Sequence, residues 1–280
     1  MNKLKLALIG KDVSKSQSGI IHKFILKNFG YDCDFDCIST PTDAFPSEVQ
    51  NLLTSYDGFS VTIPYKQAVI EYLTEPCGDA VDFNAVNTVV CKTKKGYNTD
   101  GAGILMMLKD AGVCLKGKKV LILGAGGAGR STALVLKKQG ADVYLYRRNQ
   151  TELEKTCSFL GAKKATEIEN GGYDIVLNAT GVGMHDTIGV SPVGVNAFNG
   201  ASLAIDLIYY PEETEFLRLA RGAGTRVLNG APMLFYQAYF ADCLYLGKEP
   251  SETQAKKLYS EFLIQSKRRN LYEIFSNQRR

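Results

Sequence analysis

The sequence predicts an α/β protein in which two series of strands and helices follow each other along the chain. Strand-like and helix-like stretches alternate throughout, with no internal repeat between them. In the second series, which starts near residue 118, segments such as VLIL and YDIVLNAT form continuous apolar runs. Strands of that kind are buried on both faces, as in a parallel sheet.

The first series opens with a strand, LKLALIG, and a helix over residues 20–29, where apolar residues recur at helical spacing. Residues 31–37 alternate apolar side chains with aspartates, which indicates a strand with one solvated face. A second helix is expected over residues 45–53. A short strand over residues 59–63 ends at Pro64.

The second series has its strands in ADVYLY, YDIVLNAT, ASLAIDLIYY and TRVLN, after the first strand KKVLIL. Residues 101–117 predict a helix and a turn that join two domains, and the chain from Gly230 onward is expected to be helical. The basic residues of the C-terminal segment 267–280 are interleaved with apolar ones, such as Leu271 and Ile274. This favours a solvated helix face over a nucleic-acid-binding tail.

The composition excludes several classes of protein. The chain has 280 residues, of which 45% are hydrophobic, so it can build a core, and no run approaches the roughly 20 apolar residues of a membrane helix. The net charge of +4 suits an anionic small ligand better than nucleic acid. Seven cysteines form no CxxC pair and two histidines are present, so we expect neither a metal site nor disulfides, and a cytoplasmic location.

A glycine turn opens the second series. Gly124, Gly126 and Gly129 match G-x-G-x-x-G, and the motif follows the apolar strand VLIL and precedes a helix that contains Leu134. That context is what a dinucleotide site requires, since the glycines let backbone N–H groups approach a pyrophosphate at a helix N-terminus. We therefore expect a bound dinucleotide. The alternative is a glycine-rich turn that has no ligand.

Two arginines indicate which dinucleotide binds. An NAD site needs an acidic residue about 20 residues beyond the glycines, to bond the ribose 2′-hydroxyl. After ADVYLY this chain has Arg147 and Arg148, and no acidic residue before Glu152. Two guanidinium groups suit a 2′-phosphate, so the sequence favours NADP over NAD. Solvated surface arginines are the alternative.

Three serines, Ser14, Ser16 and Ser18, alternate in KDVSKSQSG. In an extended loop, residues two apart face the same way, so several hydroxyls could bind one carboxylate. The alternative is structural, because Ser18 precedes an apolar helix and is a suitable N-cap residue.

Four further polar residues stand in unusual places. Lys66 follows VTIPY at the end of a short strand, where it either lies at the surface or lines a cleft. Asp100 precedes a helix, which it could cap. Asn87 in AVNTVV lies in an apolar strand, and Gln237 lies on an apolar helix face. A buried amide without a partner is costly, so both are expected to have specific partners.

Taken together, these segments resemble the shikimate dehydrogenase family. The matching stretches are SKSQSGIIHK, GFSVTIPYK, AVNTVV, GYNTDGAG, GAGGAG, NATGVGM, DLIYYPEET and NGAPMLFYQA. The resemblance implies an N-terminal α/β substrate domain (1–103), a Rossmann-like doubly wound NADP domain (104–236) and C-terminal helices (237–280) that return to the substrate domain. It also implies the reversible reduction of 3-dehydroshikimate to shikimate with NADPH. We expect a monomer or homodimer.

The resemblance also assigns residues. It implies that Lys66 and Asp100 form the catalytic pair, with Lys66 as proton donor. The substrate-binding residues it implies are Ser16, Ser18, Thr62, Asn87, Tyr209 and Gln237. The cofactor-binding residues it implies are Gly124, Ala125, Gly126, Gly127, Ala128, Arg147, Arg148, Asn149, Leu207 and Gly230.

The chain departs from the family pattern around the serines. The family's Gly-x-Pro after the first strand is GKD here, its His-Ser-x-Ser-Pro is KSQSG, and an asparagine usual before Val-Thr-Ile-Pro is Ser60. The alternatives are a quinate/shikimate dehydrogenase that uses NAD, and a non-catalytic sensor of NADP or shikimate. The presence of both Lys66 and Asp100 argues against the sensor.

Overall fold

The computed structural model describes residues 3–268 of the chain, so the end of the basic C-terminal segment lies outside the described residues. Residues 3–99 and 235–268 form one compact unit, and residues 100–234 form the other. Within the described residues, no helix is both long and apolar enough to cross a membrane.

The first unit contains a mixed sheet with the strand order β2-β1-β3-β5-β6-β4. Its strands are β1 (Lys3–Gly10), β2 (Asp32–Ser39), β3 (Gly58–Val61), β4 (Glu75–Pro76), β5 (Thr88–Val90) and β6 (Lys95–Tyr97). Strand β1 pairs in parallel with β2 and β3, whereas β5 is antiparallel to β3 and β6. The carboxyl ends of β1 and β3 therefore lie side by side.

Helices pack around this sheet. They are α1 (Ser18–Asn28), α2 (Phe45–Ser55), α3 (Asp79–Phe83), α8 (Ala231–Leu246, from Phe235 onward in this unit) and α9 (Glu252–Arg268). Helix α2 packs Val49 and Leu52 against Phe59 of β3. An aromatic cluster joins α1, α8 and α9, with the Phe262 ring centroid 5.2 Å from that of Phe24 and 5.3 Å from that of Phe235.

The second unit contains a sheet in which every pairing is parallel, in the strand order β12-β11-β10-β7-β8-β9. Its strands are β7 (Lys119–Leu123), β8 (Asp142–Tyr146), β9 (Lys163–Lys164), β10 (Ile175–Asn178), β11 (Leu203–Asp206) and β12 (Arg226–Leu228). Its helices are α4 (Asp100–Asp110), α5 (Gly127–Lys138), α6 (Gln150–Leu160) and α7 (Glu215–Gly222).

The sequence predicted these elements well where the hydrophobic pattern is regular. The α/β class, the parallel second sheet and the early helices α1 and α2 are confirmed. Strands β7, β10 and β11 are buried along nearly their whole length, which is why they read as continuous apolar runs. The interpretation of Asn87 as a residue inside a strand is wrong by one position, since β5 begins at Thr88.

Candidate active site

The serine loop lies at the carboxyl end of β1. The hydroxyl of Ser16 donates to that of Ser18 at 3.0 Å, and the backbone N–H of Ser18 donates to the Ser16 hydroxyl at 3.2 Å. Ser18 is buried and Ser16 is half-buried. Two adjacent hydroxyls at the start of an 11-residue helix are suited to an anion, since the helix N-terminus carries a partial positive charge.

The capping interpretation of Ser18 is wrong. The residue before α1 is Gln17, which makes no side-chain capping hydrogen bond, and Ser18 is the first helical residue. Ser14 is engaged locally instead, because its hydroxyl donates to Asp12 Oδ1 at 2.7 Å in an exposed turn. Of the three serines, the structure therefore brings Ser16 and Ser18 together.

Thr62 lies next to the serine loop. Its backbone N–H donates to the Ile9 carbonyl at 2.9 Å, and a methyl group on Gly10 would lie 2.5 Å from Thr62 Cγ2. Glycine at position 10 thus allows the ends of β1 and β3 to approach closely. Ser16, Ser18 and Thr62 all belong to the loops at these two strand ends.

Lys66 is held in place by its neighbour. Tyr65 is buried, its ring stacks on Phe45 with centroids 4.1 Å apart, and its hydroxyl donates to the Thr40 carbonyl. The Lys66 carbonyl accepts the Val86 N–H at 2.7 Å. The backbone on both sides of Lys66 is therefore fixed, while its side chain is half-buried.

The Asn87 amide has a defined orientation. Its Oδ1 accepts the backbone N–H of Thr99 at 2.9 Å and the hydroxyl of Thr88 at 2.8 Å. A backbone N–H can only donate, so the oxygen must face Thr99 and the Nδ2 group must face the other way. Asn87 Nδ2 donates to Thr99 Oγ1 at 3.1 Å and to Gln237 Oε1 at 3.5 Å. The expectation that both amides have specific partners is confirmed.

The first unit contains a buried His–Asp pair that the sequence analysis missed. His22 Nδ1 lies 2.6 Å from Asp242 Oδ1, and both side chains are inaccessible to solvent. Burial raises the pKa of Asp242 to about 6, despite the opposing effect of His22. Among the described residues, His22 Nε2 and Asp242 Oδ2 have no hydrogen-bond partner. The pair joins α1 to α8. The second histidine, His185, is exposed on a short turn.

In the second unit, the glycines of the turn after β7 do two different things. Gly124 has φ +100°, and a methyl group on Gly129 would lie 1.9 Å from the Gly124 carbonyl oxygen. Those two glycines are needed for the turn and for its contact with α5. Gly126 and Gly127 are exposed, and a methyl group on either would meet no atom within 4 Å. Together with Ala125 and Ala128 they leave an open cradle at the N-terminus of α5, which fits a pyrophosphate.

The segment after β8 carries the two arginines. Arg148 is exposed, and Arg147 is half-buried with its guanidinium 3.8 Å from the Glu152 carboxylate. Asn149 caps α6, because its side-chain oxygen accepts the Glu152 N–H at 3.1 Å. Strands β7 and β8 are parallel neighbours, so the arginines and the glycine turn share one edge of the sheet. The arrangement fits a nucleotide with a 2′-phosphate.

A buried carboxylate organises the next loops along this edge. Asp206, the last residue of β11, accepts hydrogen bonds from Thr214 Oγ1 at 2.6 Å, Ile208 N at 3.0 Å and Asn178 Nδ2 at 3.1 Å. Its burial raises the pKa of the carboxyl above its ordinary value. The sequence analysis did not single out Asp206, although an aspartate at the end of an apolar strand is a detectable signal.

Leu207 and Gly230 lie in direct contact. A methyl group on Gly230 would lie 2.1 Å from the Leu207 carbonyl oxygen, and the Gly230 N–H donates to the Ile208 carbonyl at 3.0 Å. Tyr209 is exposed in the same loop. Asp100 is the half-buried first residue of α4.

The structure collects the predicted cofactor residues at the carboxyl edge of a parallel sheet. This arrangement defines a dinucleotide-binding protein of the Rossmann type.

Comparison with known proteins identifies the family. A family model described as "Shikimate dehydrogenase substrate binding domain" matches residues 8–89. A shikimate dehydrogenase (NADP(+)) of Thermus thermophilus is 33% identical over 249 residues, which cover 88% of this chain and 94% of that protein. The chain belongs to the shikimate dehydrogenase family.

Solved structures agree with this assignment. The T. thermophilus shikimate 5-dehydrogenase in complex with NADP(H) and shikimate has a TM-score of 0.84 and 32% identity, covering 92% of this chain and 99% of that one. A chorismate mutase/shikimate 5-dehydrogenase fusion protein from Clostridium acetobutylicum has a TM-score of 0.87 and 31% identity, covering 95% and 100%. The predicted class of fold, a substrate domain with a Rossmann-like NADP domain, is confirmed.

Proposed function

We propose that the protein catalyses the reversible, NADP-dependent reduction of 3-dehydroshikimate to shikimate, a step of the shikimate pathway to chorismate and the aromatic amino acids. The observation that carries this function is the similarity, over nearly the whole chain, to enzymes named shikimate dehydrogenase (NADP(+)). The individual residue roles below are our proposals, each supported by the geometry within its own unit.

The serine loop is assigned to the substrate carboxylate. Ser16 and Ser18 hold their hydroxyls 3.0 Å apart at the positive end of α1, so both can donate to one carboxylate once the Ser16 hydroxyl hydrogen turns from Ser18 to the ligand. A hydrogen bond to a charged group contributes about 1.5–3 kcal/mol, roughly twice that of a neutral one. Thr62, in the adjoining loop, is assigned to a substrate hydroxyl.

The two amides of the first unit are assigned to substrate hydroxyls as donors. Asn87 Oδ1 accepts from Thr88 and Thr99, so a ligand oxygen would accept from Nδ2, in place of the long 3.5 Å hydrogen bond from Nδ2 to Gln237 Oε1. The Gln237 oxygen accepts from Asn87 and Thr99, so Gln237 likewise offers its Nε2 as the donor. A substrate hydroxyl that accepts from these groups needs an acceptor for its own proton. We assign Asp100 to that role.

Lys66 is assigned to the proton. Bound NADPH supplies a hydride to the ring ketone. The oxygen of that ketone becomes an alkoxide and takes a proton from the Lys66 ammonium group, which is then reprotonated from water; in the reverse direction the neutral amine accepts the hydroxyl proton. Acid–base help of this kind contributes typically about 10²–10⁴-fold. Asp100, the other member of the catalytic pair that the family resemblance implies, keeps that assignment as a proposal.

The cofactor residues follow from the second unit. The cradle from Gly124 to Ala128 holds the pyrophosphate, and Arg148, with Arg147 beside it, holds the 2′-phosphate. Asn149 fixes the start of α6 and thereby the arginine segment. Leu207 and Gly230 are assigned to the nicotinamide end, and Tyr209 to the substrate near its carboxylate.

One set of initial rates tests the function. Shikimate and quinate are each assayed with NADP and with NAD at one pH. We expect shikimate with NADP to give the highest kcat/KM, at least about tenfold above quinate, because the extra quinate hydroxyl costs about 1–3 kcal/mol to bury without a partner. Equal values, or quinate ahead, would assign the protein to the quinate/shikimate dehydrogenases. A cytoplasmic location, a monomeric or homodimeric state and the absence of a nucleic-acid partner stay predictions.

A further inference from the structure

We infer that Asp206 is a positioning residue that sets the conformation of both loops at the nicotinamide end of the cofactor site, without touching the cofactor itself. The inference rests on the proposed function only in taking NADP as the cofactor. It concerns a residue to which neither the family pattern used above nor the sequence analysis gives a role.

The carboxylate is placed where three strands end together. Strands β7, β10 and β11 are parallel neighbours, with Leu123 opposite Asn178 and Asn178 opposite Asp206. In open α/β sheets, ligands bind outside these carboxyl ends. Asp206 is inaccessible to solvent, so it cannot bind a ligand directly. Its influence must pass through the groups that donate to it.

One oxygen of Asp206 holds the loop after its own strand. Its Oδ1 accepts the N–H of Ile208 at 3.0 Å, which curls the chain immediately after Leu207. The Ile208 carbonyl in turn accepts the N–H of Gly230, and Gly230 packs against the Leu207 carbonyl. The position of the Leu207–Gly230 contact, assigned above to the nicotinamide end, therefore depends on the Asp206 carboxylate.

The same oxygen also controls the loop after β10. Asn178 Nδ2 donates to Asp206 Oδ1 at 3.1 Å, while Asn178 Oδ1 accepts the N–H and hydroxyl of Thr180 at 3.0 Å and 2.6 Å. The Thr180 N–H can only donate, so the orientation of the Asn178 amide is fixed. A flipped amide would lose the hydrogen bonds both to Thr180 and to Asp206. Thr180 Cγ2 would lie 2.9 Å from a methyl group on Gly124, so this loop borders the pyrophosphate turn.

The second oxygen anchors a helix. Asp206 Oδ2 accepts the Thr214 hydroxyl at 2.6 Å, and Thr214 caps α7 by accepting the Leu217 N–H. Segment 207–214 is thus fixed at both ends by one carboxylate. Loss of that carboxylate leaves the Ile208 N–H and the Thr214 hydroxyl without this acceptor, and Asn178 Nδ2 keeps its hydrogen bond to the Val182 carbonyl at 3.2 Å. Both loops then lose a constraint, while the arginine segment after β8 keeps its own cap on Asn149.

The experiment compares two ligands of different reach. NADP occupies the whole site, whereas adenosine 2′,5′-bisphosphate is its adenosine half and lacks the nicotinamide ribose, the nicotinamide and the second phosphate. In Asp206→Ala and Thr214→Val we expect the Kd for the bisphosphate to stay within about twofold, and the Kd for NADP to rise at least about fivefold. With shikimate as substrate, we expect kcat of both variants to be at least about tenfold below that of the parent. We also expect a larger deuterium isotope effect on kcat than in the parent, measured with shikimate deuterated at the carbon that is oxidised.

Matched variants separate positioning from general stability. Asp206→Asn keeps an acceptor for Ile208 and Asn178, and Thr214→Ser keeps the hydroxyl, so both should recover most of the parent behaviour. Thr225→Val removes a buried hydroxyl that donates to Ala201 at the opposite end of β11, and should change none of the three readouts. Thr214→Val also serves as the test if Asp206→Ala does not fold.

Two results would overturn the inference. The Kd values for NADP and the bisphosphate could rise by the same factor in the folded variants, which would mean that the whole unit is loosened. Alternatively, kcat and the isotope effect could match the parent. If the parent itself does not oxidise shikimate, the proposed function fails, whereas the comparison of the two Kd values still decides the role of Asp206.

Discussion

The two kinds of glycine in the turn after β7 predict opposite effects for the same substitution. Gly129→Ala places a methyl group 1.9 Å from the Gly124 carbonyl oxygen, and Cβ atoms essentially never come closer than 3.0 Å to another heavy atom. Helix α5 must therefore move away from the turn by the difference, 3.0 minus 1.9, or about 1.1 Å. Gly127→Ala adds a methyl group that meets no protein atom within 4 Å. One variant strains the fold, and the other obstructs only the space for a ligand.

The magnitudes follow from this geometry. Overpacking costs about 1–3 kcal/mol, against which alanine gains about 1 kcal/mol over glycine inside a helix. Gly129→Ala should thus lower the free energy of unfolding by up to about 2 kcal/mol. Gly127→Ala should raise it by up to about 1 kcal/mol. Its methyl group lies where a pyrophosphate must approach the backbone, so the Kd for NADP should rise at least tenfold, or about 1.4 kcal/mol.

Urea unfolding without ligand and calorimetric titration with NADP measure the two effects separately. Gly222→Ala is the matched control, since Gly222 is the last residue of α7 and a methyl group there also meets no atom within 4 Å. The control should leave the Kd for NADP unchanged. If Gly127→Ala binds NADP like the parent, the assignment of the cradle is refuted. If Gly129→Ala is as stable as Gly127→Ala, the packing role assigned to Gly129 is refuted.

Three further predictions test single residues. Lys66→Ala should lower kcat at least about a hundredfold while the Kd for NADP is unchanged, because only proton transfer is lost; near-normal turnover contradicts the proton-donor role. Arg148→Ala should weaken NADP binding by about 1.5–3 kcal/mol, the scale of a hydrogen bond to a charged group. Binding of NAD should barely change, and equal weakening of both would make Arg148 structural. Asp242→Asn tests the buried pair: burial raises the pKa of Asp242 from 3.8 to about 6, so the folded state holds this proton more tightly than the unfolded state. The contribution of Asp242 to stability therefore falls as pH rises from about 4 to about 6. The free energy of unfolding of the parent minus that of Asp242→Asn should decrease over this window in urea titrations, and an increase would contradict the raised pKa of Asp242.

The parts of the site that could be predicted from the sequence depend on neighbours along the chain. The glycine turn is recognisable because Gly124, Gly126 and Gly129 act within six residues, between a strand and a helix that each have a regular hydrophobic pattern. The resemblance placed the serines at a carboxylate site, and the structure adds that Ser18 begins α1 rather than capping it. A cap and a first helical residue differ by one position, which hydrophobic spacing does not resolve.

The long-range partners of the two buried carboxylates could not be assigned in this way, although Asp206 also has two near partners, Ile208 and Thr214. Asp206 and Asn178 are 28 residues apart, and His22 and Asp242 are 220 apart. Their surroundings also separate their roles. Asp206 has donors on both oxygens, whereas Asp242 Oδ2 has no partner among the described residues. A fully bonded carboxylate fixes the groups around it, while a partly bonded one mainly adds the cost of its own burial.

The fully hydrogen-bonded Asp206 carboxylate helps to explain how a loop at the cofactor site can lack helix and strand and still adopt a defined conformation. Residues 207–214 contain neither a helix nor a strand, and an isolated segment of this kind would sample many conformations. Its two ends are tied to one carboxylate through Ile208 and Thr214, and Gly230 closes it against β12. The order of this loop therefore comes largely from groups that hold its ends and its backbone, namely the Asp206 carboxylate, the buried Ile208 side chain and the Asn229 amide that donates to the Glu212 carbonyl. The side chains at positions 209, 210, 212 and 213 contribute little packing, because they are exposed.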